Sequence, residues 1–224
     1  TTPAAPASRR LADVAEGLRI VRTSRFLGTL AAVQALAALS AGATSALLVV
    51  LADRQLGAGP GRFGLLLGAI GVGAAVGPLV LRRLLADPRR PPLLFGPYLL
   101  RGGVDLTLAS TSSFPVALAS LAAYGVGTST GMVTYNSVLQ STVPDRLRGR
   151  VFACYDVIWQ AARLASLGAG GVLADALGVR AVYLVGGVLL LAAGALGLAR
   201  LRTADLVVPE PNWSPSAGPE APKR

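Results

Sequence analysis

The chain has 224 residues, 53% of them hydrophobic and only 14% charged, with a mean hydropathy of +0.58. A water-soluble domain of that size needs more charge on its surface, so the composition points to a bilayer. The formal net charge of +10 raises the question of nucleic acid, whereas one cysteine and no histidine exclude an internal disulfide, most metal sites and histidine-based catalysis.

Residues 1–8, TTPAAPAS, are polar and proline-rich, without the charged-then-apolar order of a secretory leader. In the following RRLADVAEGLRIVRTSRF, Leu11, Val14, Leu18 and Val21 stand at helical spacing among arginines. That pattern predicts an amphipathic helix lying along the cytoplasmic membrane surface, within a juxtamembrane segment 1–25. Six apolar blocks come next, at about 26–51, 63–81, 93–110, 114–138, 151–173 and 181–201. Each is near the roughly 20 residues that a helix needs to cross about 30 Å of hydrocarbon. Helices and closed barrels alone satisfy their backbone groups in lipid, and the alternating pattern of barrel strands is absent. The fold class expected is therefore an all-α membrane protein with six transmembrane helices over 26–202. The remainder, 203–224, is rich in proline and small polar residues and reads as a disordered tail.

The basic residues explain the net charge. Sixteen lysines and arginines fall before the first block, in the second and fourth loops and in the tail, against three in the other loops. The positive-inside rule then places both termini in the cytoplasm of a multi-pass protein of the cell membrane. The pI reports topology, and no nucleic-acid partner is expected. No nucleophile and base, metal cluster or phosphate loop can be assembled, so neither an enzyme nor a cofactor is expected.

Three stretches carry motifs. QLGAGPGRFGLLLGAIGVGAAVGPLVLRRL sets glycines at 64, 68, 71, 73 and 77, and small residues at such intervals let helices approach closely in lipid. LQSTVPDRLRGRVFA joins two blocks through Pro144, Asp145 and a basic turn holding Arg146, Arg148, Gly149 and Arg150. LGAGGVLADALGVRAVYLVGG is another glycine-rich helix end with a short charged loop.

This succession, over about residues 10–202, resembles the C-terminal six helices of the major facilitator superfamily, most closely its bacterial drug-efflux and siderophore-exporter-like branch. VPDRLRGRVFA is its most specific piece. One departure is that the family's basic loop has an aspartate before an arginine, where this chain has Leu81 before Arg82. The resemblance implies one six-helix bundle built from two inverted three-helix repeats, 26–108 and 114–201, the C-terminal half of a secondary active transporter. It implies proton-coupled efflux of small amphipathic molecules by alternating access. The implied partners are the lipid bilayer, a small-molecule substrate, and an N-terminal six-helix half on the same or another chain, or a second copy. The alternative is a non-transporting half-bundle that pairs with another six-helix chain. In family order the first, second, fourth and fifth blocks border the cavity or the other bundle, with the third and sixth packing outside.

Four ionisable residues inside the blocks need partners, since each costs several kcal/mol in lipid unless paired or hydrated. At about 1.5 Å per residue, Arg101 and Asp105 lie roughly 12 and 18 Å from the cytoplasmic end of the third block, and Asp156 and Arg163 about 8 and 18 Å into the fifth. One reading is structural: an Arg101–Asp105 pair within one helix, or Asp105 with Arg163 and Arg101 with Asp156 across helices. The other is a carboxylate that takes up and releases protons, tuned by an arginine. Gln34, Thr44, Tyr135, Asn136 and Gln140 are polar positions on helices expected to line the cavity, with Asn136 the best single candidate for a substrate hydrogen bond. Gln140 has the further reading of a helix-end cap. Trp159 and Gln160 fit cavity lining and packing equally.

Overall fold

The computed structural model describes residues 17–84 and 91–201, so Leu11, Val14 and the tail 203–224 lie outside the described residues. The helices are α1 Arg25–Ala46, α2 Leu48–Leu56, α3 Pro60–Leu84, α4 Pro91–Ser110, α5 Phe114–Thr142, α6 Asp145–Leu177 and α7 Val179–Arg200, with no strand among the described residues. Ser24 caps α1, accepting from the Leu27 N–H at 3.3 Å. Gly57, at φ +55°, ends α2 in the left-handed conformation that glycine adopts without strain. The first apolar block is one helix interrupted at Leu47. The Tyr183 hydroxyl donates to the Thr44 carbonyl there at 2.7 Å, an insertion of the kind that breaks a helical ladder.

Five helices are long and apolar enough to cross a membrane: α1, α3 (over 60–83), α5, α6 and α7. The expected sixth, α4, forms over 20 residues, but its arginine, aspartate and prolines hold it below the apolarity of the others. The basic turn expected after Pro144 is helical instead. Only Val143 and Pro144 separate α5 from α6, and Arg146, Arg148, Gly149 and Arg150 occupy the first turns of α6. Arg148 sustains this tight joint: its Nη2 donates to the Gln140 and Val143 carbonyls at 2.7 and 3.4 Å and pairs with Asp145 at 2.7 Å. It thereby satisfies carbonyls that the end of α5 leaves open.

The helix expected before Ser24 is described only from residue 17. Residues 17–23 are helical, but the bundle-facing residues are Gly17, against the Arg150 carbonyl, and Val21, buried in the core, whereas Leu18 is exposed. The described part of this segment is docked on the bundle, with Leu18 and Val21 not sharing one buried stripe.

The helix pairs with extensive contact are α3–α5, α4–α5, α4–α7, α1–α7, α1–α6 and α6–α7. Exchanging α1 with α5, α3 with α6 and α4 with α7 maps this pattern onto itself, except for the extra α6–α7 contact. Glycines set the closest crossings. A Cβ at Gly73 of α3 would run into the Ala122 backbone of α5, and one at Gly102 of α4 would lie 2.9 Å from the Gly187 carbonyl of α7. Of the glycines expected at interfaces, Gly64, Gly68 and Gly71 face open space.

Two apolar cores occupy opposite ends. One joins Phe26, Leu30, Phe95, Tyr135, Val138, Tyr155 and Leu190, and the other Leu51, Leu66, Leu108, Leu121 and Tyr183. Arg101, Asp105, Ser40, Thr44, Thr130, Thr134 and Ser166 are buried polar residues of the bundle's middle.

Candidate substrate cleft and buried polar belt

A cleft of about 410 Å³ opens between α1, α4, α5 and α6. Gln34 comes from α1; Pro97, Tyr98 and Arg101 from α4; Thr128, Met132, Tyr135 and Asn136 from α5; Phe152, Tyr155, Asp156 and Trp159 from α6. The third block, expected to pack outside, reaches the cleft as α4, and α3 contributes no residue to its lining. The cause is two glycines on α5. At Gly127 a Cβ would stand 3.0 Å from Arg101 Cγ, and at Gly131 one would stand 3.1 Å from Pro97 Cβ, so their absence of side chains lets α4 come through.

Five aromatic residues, Tyr98, Tyr135, Phe152, Tyr155 and Trp159, stand in the wall. Tyr98 donates to Gln34 Oε1 at 3.3 Å, and Tyr155 donates to the Leu27 carbonyl at 2.7 Å. Tyr135 meets the Tyr155 ring edge-on at 5.9 Å, and its own hydroxyl has no partner. Arg101 is 8% exposed. Its Nη2 donates to the Tyr124 hydroxyl at 3.1 Å and its guanidinium stands 4.9 Å over that ring, while Nε is buried without an acceptor. Asn136 is half-buried, with its amide donating to the Met132 carbonyl of the preceding turn at 2.9 Å.

Asp105 lies apart from this cleft. It is 1% exposed and accepts a hydrogen bond from Ser40 at 3.3 Å. Thr44 donates to the Ser40 carbonyl at 3.0 Å, so the α1 and α7 side of the belt is fully hydrogen-bonded around it. The ion pairs open to the sequence do not form: Arg101 turns to Tyr124, Asp105 to Ser40, and neither Asp156 nor Arg163 joins them in a salt bridge. Arg163 is exposed two turns beyond Asp156 on α6.

Of the polar candidates, Gln34, Tyr135, Asn136, Arg101 and Asp156 meet at the cleft. Thr44 is buried behind it, Gln140 and Gln160 are exposed, and Gln140 contributes its carbonyl to the Arg148 cap. Missed by the sequence reasoning were Tyr98, Phe152, Tyr155 and Tyr124. A signal existed: five of the chain's twelve aromatic residues line this cleft.

Residues 2–217 match the transmembrane secretion effector family of the major facilitator superfamily. The chain belongs to that family. It is 35% identical over 207 residues to the multidrug efflux pump Tap of Mycolicibacterium fortuitum, a match covering 88% of this chain and 48% of the relative. The chain thus spans about half the length of the curated relative it matches. No solved structure matches it. The superfamily is one of membrane transport proteins and not of enzymes, and its membership with five apolar helices makes this a multi-pass membrane protein.

Proposed function

We propose that the chain is the C-terminal six-helix half of a secondary active transporter that exports small amphipathic molecules by alternating access in exchange for protons. The observation that carries this reading is the aromatic cleft: it is concave, mostly apolar, and holds a few convergent polar groups, as small-molecule sites do. Its mouth adjoins the exposed Met132 and Val157, and α3 and α6 present Leu65, Val72, Leu164 and Val172 outward. A second six-helix bundle, on the same chain, another chain or a second copy, covers the cleft in this reading, with lipid on the remaining apolar faces. The half-length match to an efflux pump supports it. The symmetric helix contacts support two inverted three-helix repeats, with α4 as the sixth span and its charges turned to Tyr124 and Ser40 and away from lipid. The basic residues before α1 and at the start of α6 support cytoplasmic termini.

Asp156, exposed in the cleft, and Asp105, buried beside Ser40, are the proton carriers of this mechanism, the first exchanging with substrate and the second with helix movement. The test is accumulation of a fluorescent amphipathic dye in inside-out vesicles energised by a pH gradient. The reading expects gradient-driven uptake that Asp105→Asn or Asp156→Asn abolishes at unchanged protein level. Uptake intact in both variants overturns the proton role, and no gradient-driven uptake in the unaltered protein leaves the non-transporting half-bundle.

A further inference from the structure

The residues by which α6 lines the cleft, Phe152, Asp156 and Trp159, follow one another at steps of four and three, and the next step on that face is Arg163. Arg163 is exposed, as is Gln160 beside it, whereas the neighbouring flank of the helix carries the exposed apolar residues Leu164 and Val172. So α6 has two uncovered strips, a polar one that starts in the cleft and an apolar one next to it. The rotation of α6 that sets Arg163 there is fixed by its seam with α1. A Cβ at Gly42 would stand 2.6 Å from the Arg163 carbonyl, and the buried Ser166, one turn on, accepts from the Ala43 N–H at 2.9 Å and donates to the Leu39 carbonyl at 2.5 Å.

A guanidinium about 18 Å into an apolar span is costly unless it is paired or hydrated. Among the described residues the Arg163 side chain has neither an ion pair nor a hydrogen bond. Asp156 carries the opposite charge on the same strip, two turns or about 10 Å away along the axis, with Trp159 between them. A carboxylate of a second bundle would also answer Arg163, but a docking bundle has the apolar strip to cover, and the polar strip continues the cleft. Arg101, the other cation lining the cleft, is buried and engaged with the Tyr124 hydroxyl and ring. A singly charged amphipath would be attracted at one end of the strip and repelled at the other, whereas a molecule with both charges satisfies both ends. We infer that the cleft extends along α6 to Arg163 and binds a zwitterionic aromatic molecule, its cationic group at Asp156, its ring against Trp159 and its anionic group at Arg163. This rests on the cleft being the substrate site.

The test is equilibrium dialysis of three naphthalene probes against the native transporter in zwitterionic-lipid nanodiscs, with empty discs as the blank. The probes are 6-(aminomethyl)-2-naphthoate, with its two charges at opposite ends of the ring system, 2-naphthylmethylammonium and 2-naphthoate. The first should bind roughly tenfold tighter than either singly charged probe, the size expected of one charge-assisted bond. Arg163→Gln should bring it down to the level of the ammonium probe, Arg163→Lys should keep most of the preference, and Asp156→Asn should bring it down to the level of naphthoate. A native protein without the preference, or an Arg163→Gln variant that keeps it, overturns the inference; ammonium binding weakened by Asp156→Asn then leaves the cleft standing as a substrate site. A marked fall in the melting temperature of Arg163→Gln without any probe assigns the arginine to a carboxylate of the second bundle and also overturns it. Binding of no probe above the blank overturns both this inference and the cleft as a substrate site.

Discussion

The two sides of the bundle's polar middle differ in one respect that separates architecture from binding. On the α1 and α7 side every buried polar group is answered: Ser40 donates to Asp105, Thr44 to the Ser40 carbonyl, Tyr183 to the Thr44 carbonyl and Ser166 to the Leu39 carbonyl. On the cleft side, comparable residues leave Arg101 Nε and the Tyr135 hydroxyl unanswered. A satisfied network fixes helices against one another, whereas the unpartnered atoms of Arg101 and Tyr135 belong to residues that line the cleft. Polarity alone does not distinguish the two sides; the accounting of partners does.

The most severe break is at the crossing that backs both sides. Gly102→Leu sets a side chain against the Gly187 carbonyl and the Leu191 side chain, and should cost about 3 kcal/mol or prevent accumulation in the membrane. Gly103→Leu faces open space and serves as the matched control. Thermal melts and membrane protein levels read both. Next comes a direct contrast of the two sides. Tyr183→Phe strands the buried Thr44 carbonyl and should destabilise by about 1.5 kcal/mol, whereas Tyr135→Phe removes an unpaired hydroxyl and should stay within about 0.5 kcal/mol. Equal losses in the two melts would erase the distinction drawn here. Arg148→Met releases the Gln140 and Val143 carbonyls at a partly exposed joint, and the expected loss is about 0.5–1 kcal/mol. Smallest is Arg163→Gln. An exposed arginine outside any ion pair should change stability by less than about 0.5 kcal/mol, and a larger loss would mean that it has a partner in the assembled transporter.

Five apolar helices were legible as spans because long apolar blocks separated by arginines have few other physical meanings. The joint at Pro144 was legible as a joint but not as helix, since R-x-R-G-R reads as a loop until Arg148 is seen capping α5. The cleft was only half legible. Gln34, Tyr135, Asn136, Arg101 and Asp156 stood out as polar atoms in apolar blocks, but their grouping did not. Helices apolar on all sides carry no amphipathic stripe to mark an inner face. The arrival of α4 at the cleft depends on Gly127 and Gly131 of a different helix, which no local pattern in α4 reports. For the same reason the ion pairs suggested by matched depth did not form, because depth fixes one coordinate and rotation about the helix axis decides the rest.

The central claim is that the cleft is a water-accessible face shared with a second bundle and not a lipid-facing groove. The direct measurement is reaction of a membrane-impermeant charged maleimide with Asn136→Cys in a Cys154→Ala background, in vesicles of both orientations and with Val172→Cys, exposed on α6, as the lipid-facing reference. The account predicts that Asn136→Cys is labelled while Val172→Cys is not, and that a transported dye slows the Asn136→Cys reaction. Equal inertness at the two positions would contradict it.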